Sequence, residues 1–232
     1  MIPEEARLEE VGSGLAPVSP GWFVVNVGEA AWLRNDAFGG RCVFESSPRV
    51  LAERPDAEPQ PFDQTGFTLA VLEPGKPTGM YHAESSQEDF LVLAGECLLV
   101  VEEQERPLRA WDFVHCPPGT RHTFVGTGHE PCVIFMTGAR REDGTIVYPV
   151  SETARAHGAG VEAETNSPSE AYAPFSHWRL GRPDAWGKLP WTEASVAGRS
   201  GGRLRFRREG RSPTGRHSAC GSILREMLPL SG

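Results

Sequence analysis

The stretch "YHAESSQEDFLVLAGE", Tyr81–Glu96, decides how this chain is read. Its first ten residues hold a histidine, three acids and a glutamine, and an apolar run closed by Gly95 comes directly after. Residues two apart on a strand point to one face, so His82 and Glu84 project together. Glu88 opens the next strand and shares a face with Phe90 and Val92. On the inside of a small barrel an unpaired carboxylate is costly to bury, and a metal ion or another cation removes that cost. Further along, "CPPGTRHTF" (Cys116–Phe124) brings His122 out of a Pro-Pro-Gly turn to the head of another strand. Two imidazoles and two carboxylates delivered by turns to separate strands can close around one divalent ion.

On either side of this stretch, the chain from Gly66 to Val150 alternates short apolar runs with Gly, Pro and charged turns. Strands at a spacing of about 8–12 residues with such turns predict an all-β sandwich or barrel. A short helix is expected after Ser151, over "ETARAH", ended by Gly158. Before the barrel, "GWFVVNV" (Gly21–Val27) and "RCVFES" (Arg41–Ser46) read as strands, and the Pro- and acid-rich "AERPDAEPQPFDQ" reads as a surface loop. The chain thus divides into four regions: N-terminal strands and acidic loop over 1–60, barrel over 61–150, short helix and extended arm over 151–197, and an Arg-rich tail over 198–232 that is expected to stay disordered.

The net charge of −8 is unevenly spread. From Gly198 onward eight Arg stand against Glu209 and Glu226, a balance of +6 that leaves −14 on residues 1–197. A body this acidic repels nucleic acid and anionic membranes, which points to a small molecule or another protein as its partner. "MIPEEARLEE" lacks the apolar core of a signal peptide and no run reaches membrane-spanning length, so a cytoplasmic location is expected. Five cysteines without a C-x-x-C pair, three of them inside apolar runs, read as reduced core residues.

These motifs resemble the cupin superfamily. Its first motif, G-x5-H-x-H-x3,4-E-x6-G, is matched by His82, Glu88 and Gly95, and its second, G-x5-P-x-G-x2-H-x3-N, by Pro117, Gly119 and His122. Glu84 stands where the family has its second histidine, Gly75 is one residue out of step, Trp111 replaces the glycine of the second motif, and Gly126 replaces its asparagine. The resemblance implies a double-stranded β-helix, the jelly-roll cupin barrel. It also implies a divalent ion (Mn, Fe, Zn, Ni or Cu) on His82, Glu84, Glu88 and His122. The oxygen-rich donor set favours Mn or Fe. For activity, the resemblance implies a mononuclear enzyme of dioxygenase or isomerase/decarboxylase type acting on a small oxygenated molecule. The alternative is a non-catalytic barrel that binds a small ligand, with or without metal.

Met80, Gln87, Phe90, His115 and Phe124 are candidates for the pocket wall. His115 is also a candidate donor to a ligand carboxylate, and Arg109 or Arg121 a candidate partner for Glu84 and Glu88 without metal. A homodimer is expected, built by exchange of the "GWFVVNV" strand.

Overall fold

The computed structural model describes residues 4–192, apart from 49, 52, 53, 55, 56 and 58, so the Arg-rich tail lies outside the described residues. Two sheets and their connections make the body. In chain order the strands are β1 (Leu8–Glu10), β2 (Leu15–Pro17), β3 (Trp32–Asn35), β4 (Gly39–Val43), β5 (Thr65–Leu72), β6 (Ala83–Glu84), β7 (Glu88–Ala94), β8 (Glu96–Val101), β9 (Gln104–Arg109), β10 (Phe113–Cys116), β11 (His122–Gly126), β12 (Cys132–Ala139), β13 (Ile146–Val147) and β14 (Arg179–Leu180). The larger sheet runs β10-β7-β12-β5-β4-β3-β14 and the smaller β11-β8-β9, while β1-β2 and β13-β6 form separate two-stranded sheets. Every named strand pair is antiparallel, and neighbours far apart in sequence, such as β5 beside β12, give the jelly-roll order expected from the turn spacing.

Period-2 side-chain direction explains why β12 reads as a continuous apolar run. Cys132 and Ile134 face a core with Leu72, Phe90, Val92, Leu99 and Phe124 between the sheets. Val133 faces outward onto Trp32, Leu69, Val71 and Leu189. Both faces of the strand are therefore buried, and alternation disappears from the sequence. By contrast β9, "QERPLR", is polar, carries Pro107 and lies at a sheet edge, where a missing N–H costs no ladder bond and charge discourages pairing with another chain. Gly95 links β7 to β8 at φ +74°, and a Cβ there would stand 2.6 Å from the Pro131 carbonyl oxygen. Left-handed backbone and close approach both call for glycine.

Outside the barrel the structure departs from expectation: β1, β2, β3 and β14 form where no strand is expected, and two further segments differ. "GWFVVNV" forms no strand: Trp22 makes an isolated bridge to Glu5, while Trp22 and Val24 are exposed. The apolar residues of this segment run together without alternation, and Val25 and Val27 instead pack singly beneath Trp32 and its neighbours. The arm after residue 160 is not simply extended. Ser167 caps a one-turn helix α2 (Pro168–Ala171), with the proline in its first turn. The Ser-Pro pair is a start signal that apolar periodicity does not detect in so short an element. The helix after Ser151 is present as α1 (Glu152–Ala156), its N-cap hydroxyl accepting from the Ala154 amide.

The four described cysteines, Cys42, Cys97, Cys116 and Cys132, are buried free thiols.

Candidate metal centre

The site begins with backbone pairing. His82 and His122 face each other as an antiparallel bridge, each amide donating to the other's carbonyl at 3.2 and 2.8 Å. That reciprocal pair places the imidazole ring centroids 5.0 Å apart. The Pro-Pro-Gly turn is tied down at the same end, the Gly119 amide donating to the Glu84 carbonyl at 2.7 Å. Both rings are then oriented alike: Nδ1 of His82 lies 2.8 Å from the Met80 carbonyl and Nδ1 of His122 lies 3.0 Å from the Thr120 carbonyl. A carbonyl can only accept, so each Nδ1 carries the proton and each Nε2 keeps a free lone pair. Fixing the second ring nitrogen in this way is what metal-binding histidines require.

Glu88, at the first position of β7, meets these lone pairs. Its Oε2 lies 3.6 Å from His122 Nε2, and ligand atoms of His82, Glu88 and His122 all fall within 4.8 Å of one another. Two donors held about 2.1 Å from one ion stand no more than about 4.2 Å apart, so the pair at 3.6 Å fits a shared ion and the set closes with a small movement. Glu84 does not join that triad. Its Oε1 lies 3.9 Å from His82 Nε2, and it lines the same cavity from β6.

Electrostatics make the cluster costly without a cation. Burial pulls the His82 pKa down to about 3, with His122 and Arg41 adding to the effect, and burial lowers that of His122 as well. Both imidazoles are therefore neutral. Burial, helped by the charge of Glu84 and opposed by Arg41, pushes Glu88 up to about 8, and burial raises Glu84 too. A divalent ion would reverse the penalty on the carboxylates, and the neutral imidazoles already offer the form that binds it.

The cavity in front of the cluster has a volume of about 680 Å³. Its wall differs from the expected one. Phe124 lines it, while Met80 is buried behind it and contributes its carbonyl to His82. Phe90 packs edge-on to His122, 5.1 Å between centroids. Gln87 and His115 face away: both bond Asp89, at 2.6 Å each, so His115 does not reach Glu88. Alternation along β7 explains this, since Asp89, the residue opposite His115, points away from the Glu88 side.

Neither Arg109 nor Arg121 forms an ion pair with Glu84 or Glu88, although Arg121 borders a third cavity that Glu84 also lines. The cation brought there is Arg41 of β4, accompanied by Tyr148, Tyr172 and Trp178. Motif spacing could not reveal these four, because all lie outside the two motifs and outside residues 68–138.

Residues 68–138 match the cupin family model, described as "Cupin domain". Fold and motif together define this segment as a cupin domain, a β barrel built around residues 68–138. Similar solved structures include a sugar phosphate isomerase of the cupin superfamily from Silicibacter pomeroyi, with 26% identity, covering 46% of this chain and 63% of that one at a TM-score of 0.35. The match thus spans less than two thirds of that relative's length. Polyketide cyclase RemF from Streptomyces resistomycificus aligns at 16% identity over 52% and 82% of the two chains, TM-score 0.41. A Cupin 2 conserved barrel domain protein from Salinispora arenicola aligns at 24% over 46% and 79%, TM-score 0.35. No curated protein matches the chain. Among the described residues no helix is long and apolar enough to cross a membrane.

Proposed function

We propose that this cupin is a mononuclear metalloenzyme that holds a divalent ion on His82, Glu88 and His122 and acts on a small oxygenated molecule. The observation that carries the reading is the reciprocal His82–His122 pair, whose two Nδ1 atoms are tied to carbonyls so that both Nε2 lone pairs remain free beside Glu88. Two imidazoles with one carboxylate form a set suited to Fe(II) or Mn(II). When bound, such an ion supplies Lewis-acid polarisation of a carbonyl or enediol oxygen, or a seat for O2.

The chain's own residues do the rest. His82 and His122 stay neutral because burial disfavours their protonation. Glu84 faces the cavity outside the closest triad, with a pKa raised by burial. From there its carboxylate can accept a proton from a substrate carbon next to the polarised carbonyl, the step shared by isomerase-type chemistries. Phe90 and Phe124 pack against His122 and exclude water from its far side.

Elemental analysis of untagged protein by plasma mass spectrometry, beside a His82→Ala, His122→Ala double variant, tests the reading. Near-stoichiometric metal in the parent and none in the variant is expected. Metal-free parent after incubation with Fe(II) and Mn(II) would overturn it. The homodimer belongs to the same proposal, supported by the exposed Trp22 and Val24, and a monomer by light scattering would count against it.

A further inference from the structure

Arg41 sits on β4, outside the matched cupin segment, paired with Ala70 of β5. Its neighbour Cys42 packs into the outer core, so alternation turns Arg41 to the opposite, cavity side. There the guanidinium is only partly satisfied. Nη2 donates to the Thr78 carbonyl at 2.6 Å, while Nε is buried with no partner. Among the described residues it forms no ion pair with a carboxylate, Glu84 and Glu88 being turned to the two imidazoles. The Trp178 ring covers one face of the guanidinium, 4.9 Å from Cζ to the ring centroid. Stacking uses the face of the fork and leaves its edge donors available to a planar or tetrahedral oxyanion.

The surroundings have been cleared for this group. A Cβ on Gly79 would stand 2.6 Å from the Tyr172 hydroxyl and 3.5 Å from Arg41 Nη2. That hydroxyl accepts from the Met80 amide at 3.0 Å, which ties the arm to the strand leading into His82. Arg41, Glu84, Glu88, Met136 and Trp178 also border a second cavity of about 430 Å³, so Arg41 stands where the two spaces meet. A buried guanidinium with no carboxylate in ion-pair contact and one nitrogen unpartnered is costly, and its place beside a ligand-sized cavity is explained by what enters the cavity. With a divalent ion in place, three positive charges would oppose the two of Glu84 and Glu88, leaving the pocket short of one negative charge.

We propose that Arg41 is the anion-recognition residue of this pocket and that the substrate is a small organic oxyanion, a carboxylate or a phosphate ester. Its charged group is held by the Arg41 fork and its second oxygen faces His82, Glu88 and His122. Only the second contact rests on the metal reading; the Arg41 contact stands on its own.

The test is calorimetric titration of the full chain with inorganic phosphate and, separately, with glycolate, each with and without stoichiometric Mn(II). One anion per chain is expected, bound at least tenfold more weakly by Arg41→Met, and the tighter probe names the source of the oxyanion. Mn(II) titration of the same variant should retain the parent stoichiometry, so loss of anion binding and loss of metal binding are read separately. No binding of either probe by the parent, or equal binding by Arg41→Met, overturns the proposal whatever the metal result. A crystal structure of the native chain with the tighter probe decides its placement without a substitution: an anion oxygen within hydrogen-bond distance of the Arg41 guanidinium supports the proposal, and an anion bound elsewhere defeats it.

Discussion

Glu84 and Glu88, two carboxylates four residues apart beside His82, are both candidate ligands in the sequence, and the structure places them differently. Glu88 stands within the triad and Glu84 stands off it. Glu88→Gln should therefore abolish stoichiometric metal binding, whereas Glu84→Gln should keep the metal and lower turnover by about 100-fold or more, as loss of a general base does. Metal content and steady-state rate measured on the same two preparations decide this, and metal loss in Glu84→Gln would make it a ligand instead.

The raised pKa of Glu88 has its own consequence. Its carboxyl shifts from 4.5 to about 8 in the folded, metal-free protein, so below pH 8 an entering ion must displace a proton. Metal affinity should rise with pH up to about 8, with close to one proton released per ion. Calorimetry in buffers of different ionisation enthalpy measures that release, and a heat independent of buffer would rule it out. The same shift acts on stability. The folded state holds this proton more tightly than the unfolded chain, so the contribution of Glu88 is fully present below pH 4.5 and is lost as pH rises through about 8.

At the scale of single elements, turns carry the exacting requirements. Gly95 cannot be replaced without both left-handed strain and a clash with Pro131, so Gly95→Ala should cost about 2–4 kcal/mol in denaturant unfolding. Trp111 presents the opposite case. It occupies the glycine position of the second motif at φ +77°, with its ring mostly exposed. Its amide bond to the Val92 carbonyl, at 2.7 Å, belongs to the backbone and survives substitution. Trp111→Gly should thus stabilise the protein by about 1 kcal/mol, and a lower unfolding midpoint would show that the ring makes a contribution the isolated turn does not reveal.

For the molecule as a whole, the arm is the wall that turns an open barrel mouth into a cavity. Phe38, buried at the turn between β3 and β4, meets Tyr172, Phe175 and Trp178 at centroid distances of 5.3, 4.8 and 6.4 Å. Asn35 donates to the Ser176 carbonyl at 2.6 Å, and Arg179 grips Asp36 through two bonds. Phe38→Ala should cost about 3–5 kcal/mol and expose the arm to proteolysis between residues 168 and 178. Unchanged proteolysis in the folded variant would mean that the arm is held by its polar clips.

The barrel and three of its site residues were legible because turn chemistry and period-2 spacing are local properties. His82, Glu88 and His122 each come after a turn signal that sets where their strand begins. Arg41, Tyr148, Tyr172 and Trp178 carry no such signal, and His115 misleads because it lies one strand position from the face that matters. The sequence by itself determined the strand-and-turn order and which side chains could bind a cation. Only the tertiary structure decided how the two carboxylates sit against the imidazoles and which cation stands beside them. Those choices depend on pairings between residues as distant as His82 and His122, or Arg41 and Trp178, whose proximity is created by packing two sheets and an arm around one cavity.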